Sequence, residues 1–215
     1  MDLTPEEIRV LGSLVEKQRL TPDVYPLSLN TLRLATNQST SRDPVVDYDE
    51  DTIRDALARL YRRRFARLAS TSGRATKYRH LLDEALGLPP AELAVLTVLM
   101  LRGAQTPGEL RQRTDRLHRF ANGAEVQDAL DALVRRELVA RLDRRPGQKE
   151  ERYTHRLGED AAPSTAAPAE VPAPPRPEPV AAPAPVPDDD RISRIEAELA
   201  ELRAEVSALR EALGG

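Results

Sequence analysis

Thr52-Ile53-Arg54-Asp55-Ala56-Leu57-Ala58-Arg59-Leu60-Tyr61-Arg62-Arg63-Arg64 is echoed by Glu125-Val126-Gln127-Asp128-Ala129-Leu130-Asp131-Ala132-Leu133-Val134-Arg135-Arg136-Glu137, and this repeat decides the fold. In both copies the apolar residues recur at helical spacing. A short apolar run follows each helix, then a glycine turn, then a basic strand carrying Tyr and His. The first set is Arg67-Leu68-Ala69, Gly73 and Lys77-Tyr78-Arg79-His80; the second is Val139-Ala140-Arg141-Leu142, Gly147 and Arg152-Tyr153-Thr154-His155. Helix, strand, wing and strand make the closing half of a winged helix, so a tandem array is expected.

Working outward toward the N-terminus, Thr4-Pro5-Glu6-Glu7 reads as a capping box, and Ile8, Leu11, Leu14 and Val15 carry a helix to about Arg19. Thr21-Pro22 breaks it. Pro26 is expected to open a second, well-buried helix holding Leu27, Leu29, Leu32 and Leu34 and ending near Asn37. Val45-Val46 could form a short strand, and Asp47, Asp49, Glu50 and Asp51 place negative charge at the start of the long helix, where the macrodipole favours it. The pattern restarts after Leu81. Leu88-Pro89-Pro90-Ala91-Glu92 opens a helix with Leu93, Leu96, Val98, Leu99 and Leu101 inside, and Thr106-Pro107-Gly108-Glu109 opens the next. Thr21-Pro22 aligns with Thr106-Pro107 at an offset of 85, but the long helices align at 73, so the first copy carries about 12 extra residues between Ser28 and Asp49.

The expected class is mainly α with small β wings: one winged-helix domain over 1–80 and a second over 81–157. Residues 158–190 hold ten prolines among Ala, Glu and Asp, a composition that buries no core and implies an extended, disordered linker. Over 191–215, Ile192, Ile195, Leu199, Leu202, Val206, Leu209 and Leu213 follow a 3-4-3-4 spacing that fills heptad positions a and d. The pairs Arg191/Glu196, Glu198/Arg203 and Glu205/Arg210 are of opposite sign, as a parallel homo-oligomer requires. A lone amphipathic helix folding back on the body is the alternative.

Composition narrows the function classes. With aromatics at 3 %, the cores rest on Leu, Ile, Val and Ala, and a unit of roughly 75 residues buries a marginal core alone. No cysteine is present, which excludes disulfides and thiolate chemistry. The first residues lack the regions of a signal peptide, and the longest apolar run, Leu93 to Leu101, falls short of the ~20 residues of a membrane span. A cytoplasmic protein without membrane contact is expected. Residues 1–157 hold 27 Lys+Arg against 23 Asp+Glu, whereas 158–215 hold 5 against 12, so a body of +4 carries a tail of −7. Such a body permits nucleic-acid binding without demanding it.

The chain resembles the YceH-like family, bacterial proteins of unassigned function built from two winged-helix domains. The carrying residues are Leu14-Val15-Glu16-Lys17-Gln18 with Thr21-Pro22, Tyr25-Pro26-Leu27-Ser28-Leu29-Asn30, Asn37-Gln38 with Arg42, Pro44 and Val45, and Thr76-Lys77-Tyr78. Further on come Leu101-Arg102-Gly103-Ala104-Gln105-Thr106-Pro107-Gly108-Glu109-Leu110-Arg111 and Pro146-Gly147 with Glu151-Arg152-Tyr153 and His155. The resemblance spans residues 8 to 157 and implies the fold far more than the function.

If the two modules bind double-stranded DNA, the long helix of each enters the major groove and its wing lies on the backbone. The nucleic-acid contacts would be Arg54, Arg59 and Arg62 with Arg74, Lys77 and Arg79 in the first module. In the second they would come from Arg144, Arg145, Lys149 and Arg152, joined by Arg135 and Arg136 on the helix. Asp49, Glu50, Asp51, Glu125, Asp128 and Asp131 oppose this, and the arginines could instead be solvated or paired with neighbouring carboxylates. Asn30, Asn37, Gln38 and Arg42 form a second candidate surface, unless they serve as turn caps. Catalysis has little support: His80, His118 and His155 lie in no nucleophilic or metal-ligating arrangement, so neither enzyme activity, cofactor, metal nor small-molecule substrate is expected. His80 and His155 occupy equivalent wing positions, which suggests a repeated structural role. The leading expectation is a non-enzymatic tandem winged-helix protein that binds DNA or regulates transcription, oligomerised through its C-terminal coil. The alternative is a protein-protein scaffold of winged helices without DNA binding.

Overall fold

A computed structural model describes residues 1–69, 76–143 and 150–158 of the 215. Thr4 accepts from the Glu7 N–H while Glu7 accepts from the Thr4 N–H, and this capping box starts α1 (Pro5–Leu20). A single 3-10 turn, Pro22–Val24, leads to β1 (Leu27–Ser28) and α2 (Leu29–Thr36). Then come α3 (Glu50–Arg62), capped by Asp49, and the hairpin strands β2 (Ala66–Ala69) and β3 (Lys77–His80).

The second half follows the same plan after a short connecting helix, α4 (Leu82–Leu86). It comprises α5 (Pro90–Arg102), α6 (Pro107–Thr114), α7 (Gly123–Arg135), β4 (Val139–Leu142) and β5 (Arg152–His155). Among the described residues the chain is therefore helical with two small antiparallel sheets, an arrangement consistent with winged-helix-like halves. The linker and the heptad segment lie outside the described residues, as do the wing tips with Gly73 and Gly147.

Three expectations about the first half need correction. Pro26 does not open the second helix: Ser28 caps it, accepting from the Thr31 N–H, and Leu27-Ser28 pairs with Tyr78 and Lys77 as a third strand, giving the order β1-β3-β2. The helix is amphipathic and not buried all round, since Leu32 is enclosed while Leu34 is 59 % exposed. Val45-Val46 forms no strand: the segment pairs with none of the described strands, and Val45 is exposed to solvent.

The caps also locate the extra residues. Ser28 and Thr106 cap equivalent helices 78 apart, and Asp49 and Asn122 cap the long ones 73 apart. Measured from the offset of 85 at Thr21, seven of the 12 extra residues therefore precede α2, where they build β1, and five lengthen the α2–α3 loop. The second module replaces β1 with one bridge, Gln105 to Tyr153.

The long helices end alike without glycine. Arg64 and Glu137 take left-handed conformations at φ 60 and 57, and Phe65 and Leu138 donate back to Leu60 and Leu133 at 2.9 and 3.0 Å. This is the Schellman pattern, whose hydrophobic member is buried in both copies.

One continuous core serves both halves. It runs from Leu11, Leu14, Ile53 and Leu60 through Val95, Leu96 and Leu99 to Leu130 and Leu133. At the α1–α5 crossing Gly12 lets the backbones approach, since a Cβ there would stand 3.0 Å from Leu101 and 3.3 Å from Met100. The Leu3 N–H donates to the Leu157 carbonyl at 2.8 Å, and a Cβ on Gly158 would overlap the Leu3 carbonyl. Only glycine fits there.

Candidate interaction surface

The α2–α3 loop is pinned by buried charge. The Arg42 guanidinium, wholly enclosed, donates to both Glu16 oxygens, Nη1 to Oε1 at 3.1 Å and Nη2 to Oε2 at 2.6 Å, and also to the Ala35 carbonyl and Gln38 Oε1. Two charges survive burial because each is paired and hydrogen-bonded. Nearby, Arg9 donates to the Pro44 carbonyl at 2.6 Å; burial, then repulsion from Arg42, lowers its pKa. The Asn37 side chain donates to the Tyr48 carbonyl and accepts from the Tyr48 N–H. The loop also reaches the second module, through the Asp43 N–H to the Leu101 carbonyl at 2.9 Å and through Arg102 to Ser41. Of the proposed surface Asn30, Asn37, Gln38 and Arg42, only Asn30 is fully exposed; the other three hold the loop in place.

The equivalent histidines act alike. His80 Nδ1 accepts from the Leu82 N–H at 3.3 Å and its Nε2 meets Gln18 Oε1 at 2.6 Å, while His155 Nδ1 accepts from the Leu157 N–H at 3.5 Å. Burial pushes both down to about 4, so each is a neutral imidazole at neutral pH. The approach of Asp83 to His80 at 3.5 Å is therefore not an ion pair, because Nδ1 is already an acceptor. Tyr25 Oη accepts from the His80 N–H, and burial raises its phenol to about 12.

Of the ten nucleic-acid contacts proposed on the first long helix and the two wings, Arg74, Arg144, Arg145 and Lys149 lie outside the described residues. The other six are mostly engaged. Arg54 pairs with Asp51 and, at 3.7 Å, with Glu50. Arg59 sits 3.6 Å from the buried Glu7, which Arg63 approaches at 3.8 Å. Arg79 pairs with Glu84, and Arg152 donates to the Ala104 carbonyl at 2.7 Å and to Glu109 at 3.0 Å. Arg62 and Lys77 have no ion pair among the described residues. On the second long helix, Arg136 holds Glu92 at 3.0 Å and the carbonyl of Gly87.

The outward faces of α3 and α7 are acidic along the half that would enter a groove. Burying Ile53, Ala56, Leu57 and Leu60 leaves Glu50, Asp51, Arg54 and Asp55 outside; burying Val126, Ala129, Leu130 and Leu133 leaves Glu125, Asp128 and Asp131 outside. The Thr52 N–H, donated to Asp49, holds that carboxyl below its usual range, so it stays ionised at the tip of α3.

A shallow apolar cavity lies between the start of α5, the His118 and Phe120 side chains and α7. His118, set aside for catalysis in the sequence, lines it together with Phe120, which had no place there; the signal was one of only two phenylalanines standing in a polar segment. No group of three or more metal-ligating side chains occurs among the described residues, and no described helix is long and apolar enough to cross a membrane.

Comparison with known proteins agrees with the resemblance read from the sequence. Residues 3–148 match the family described as a protein of unknown function, DUF480. A UPF0502 protein of Pelobacter propionicus is 46 % identical over 215 residues, covering 98 % of this chain and 94 % of its own length. One of Azoarcus is 46 % identical over 213 residues, covering 98 % and 93 %, and one of Opitutus terrae is 47 % identical over 176, covering 80 % and 76 %.

Proposed function

The chain belongs to the DUF480 family, and within it we propose a non-enzymatic tandem winged-helix protein whose modules hold a partner protein, brought together by the heptad segment 191–215. The observation that carries this reading is the acidic outer face of α3 and α7. A duplex presents one phosphate charge per ~1.7 Å of axis, and a helix that reads its major groove must tolerate that field. Glu50, Asp51, Asp55, Glu125, Asp128 and Asp131 oppose it, and Arg54, the cation among the first three, is already neutralised by them.

Duplex binding stays as a second reading because Arg62, Arg64, Arg67 and Lys77 carry no ion pair among the described residues and lie at the end of α3 and on the first hairpin. That strip would touch phosphates without reading bases. The test is a titration of the isotope-labelled full chain with random duplex at low salt, followed by amide shifts. The protein-binding reading expects no shifts along α3 from Asp51 to Ala58 or along α7. Shifts concentrated there would overturn it.

A further inference from the structure

The cavity beside α7 has a volume of about 330 Å3, with Ala91, His118, Phe120 and Ala129 supplying apolar surface and Glu92, Glu125 and Asp128 standing around it. Phe120 and Ala129 are buried, and the Phe120 ring meets His118 edge-on at 4.7 Å between centroids. The three carboxylates are not equally occupied. Glu92 is held by Arg136 at 3.0 Å and Glu125 accepts the Ala121 N–H at 2.9 Å, while Asp128 has no hydrogen bond or ion pair among the described residues. A carboxylate offers about four acceptor sites, so Glu125 retains capacity and Asp128 retains all of it.

An apolar floor with an acidic rim suits one kind of group: a side chain whose stem is a hydrocarbon and whose head is a cation. Arginine fits better than lysine, because a planar guanidinium stacks on an aromatic ring and offers paired donors to carboxylates. Phosphate-bearing ligands are disfavoured by the same rim. We infer that this cavity is a docking pocket for an arginine side chain on a basic segment of a partner protein. The inference deepens the protein-binding reading and rests on it.

The probe is a pair of short blocked peptides, Gly-Leu-Arg-Leu-Gly and the same peptide with citrulline in place of arginine, added to the isotope-labelled full chain. Citrulline keeps the shape and removes the charge. The arginine peptide should shift the amides of His118 to Ala121 and of Glu125 to Ala129. Binding should weaken about fivefold for citrulline, and by a similar factor for Asp128→Asn, which is exposed and leaves the fold intact. Both differences should shrink as salt is raised.

Equal binding of the two peptides, or no shift with either, overturns the pocket. Shifts confined to another surface overturn it too, yet leave the protein-binding reading standing. Concentration-dependent shifts of the same amides without peptide, abolished by Asp128→Asn, would assign the pocket to a second copy of this chain and overturn the arginine proposal.

Discussion

Glu16 and Arg42 show how much of this fold depends on single side chains. Their bidentate contact sits inside the protein, so removing one partner strands the other charge without water. Glu16→Ala should lower the unfolding free energy by about 3–5 kcal/mol, and Glu16→Leu with Arg42→Met should recover much of the loss, because two apolar groups leave nothing unpaired. Urea denaturation of the two variants checks this; equal losses in single and double variants would contradict it. His80 and His155 set the response to acid. Their folded pKa values of about 4 lie below the ordinary value of 6.5, so as pH falls the unfolded chain takes up the proton first. Their contribution is complete above pH 6.5 and is lost progressively toward pH 4. The urea midpoint should therefore drop across that window, and His80→Gln should flatten the drop while costing stability at neutral pH. An unchanged slope in the variant would contradict the assignment.

At the scale of elements, what was legible in the sequence was whatever had a local signature. The capping box at Thr4 and the helix start at Thr106 were readable because Thr and Glu stand three apart around a proline, and the structure shows a capping box at both. Thr106→Ala should cost about 1 kcal/mol in thermal unfolding, and a smaller change than a few tenths would show the box to be idle. Strands β3, β4 and β5 fall where Tyr, His and the apolar runs placed them. β1 escaped because two residues after a proline have no periodicity, and it exists only through its pairing with β3. Likewise the Glu16–Arg42 contact spans 26 positions and leaves no local trace. The acidity of α3 was legible, but not that Arg54 would turn back onto Asp51. Replacing Glu50 by Gln and Asp51 and Asp55 by Asn frees Arg54 and removes three repulsive charges. Duplex affinity at low salt should then rise roughly tenfold, measured by mobility shift. No change would show that α3 does not face the duplex.

Across the whole described body, the two halves behave as one unit because chain segments from each are built into the other. The α2–α3 loop reaches Leu101 and Arg102 of α5, and the first residues bond to Leu157 beside Gly158. A Cβ at Gly158 must push Leu3 away, so Gly158→Ala should cost about 1–3 kcal/mol while unfolding stays a single transition. Two separated transitions would contradict the shared core. Composition pointed to such sharing, since a half of roughly 75 residues with few aromatics buries little alone. Net charge said less: a body of +4 does not tell which cations are paired, and the structure pairs Arg54, Arg79 and Arg152 with neighbouring carboxylates while Arg62, Arg64 and Arg67 carry no ion pair among the described residues.

The most direct measurement is the anisotropy of a labelled random duplex titrated with the full-length chain over a falling salt series. A protein-binding surface predicts negligible association even at the lowest salt, or a shallow slope of one or two counterions that vanishes when Arg62, Arg64, Arg67 and Lys77 become Ala. A steep slope of six or more that falls when α3 and α7 are changed would contradict it.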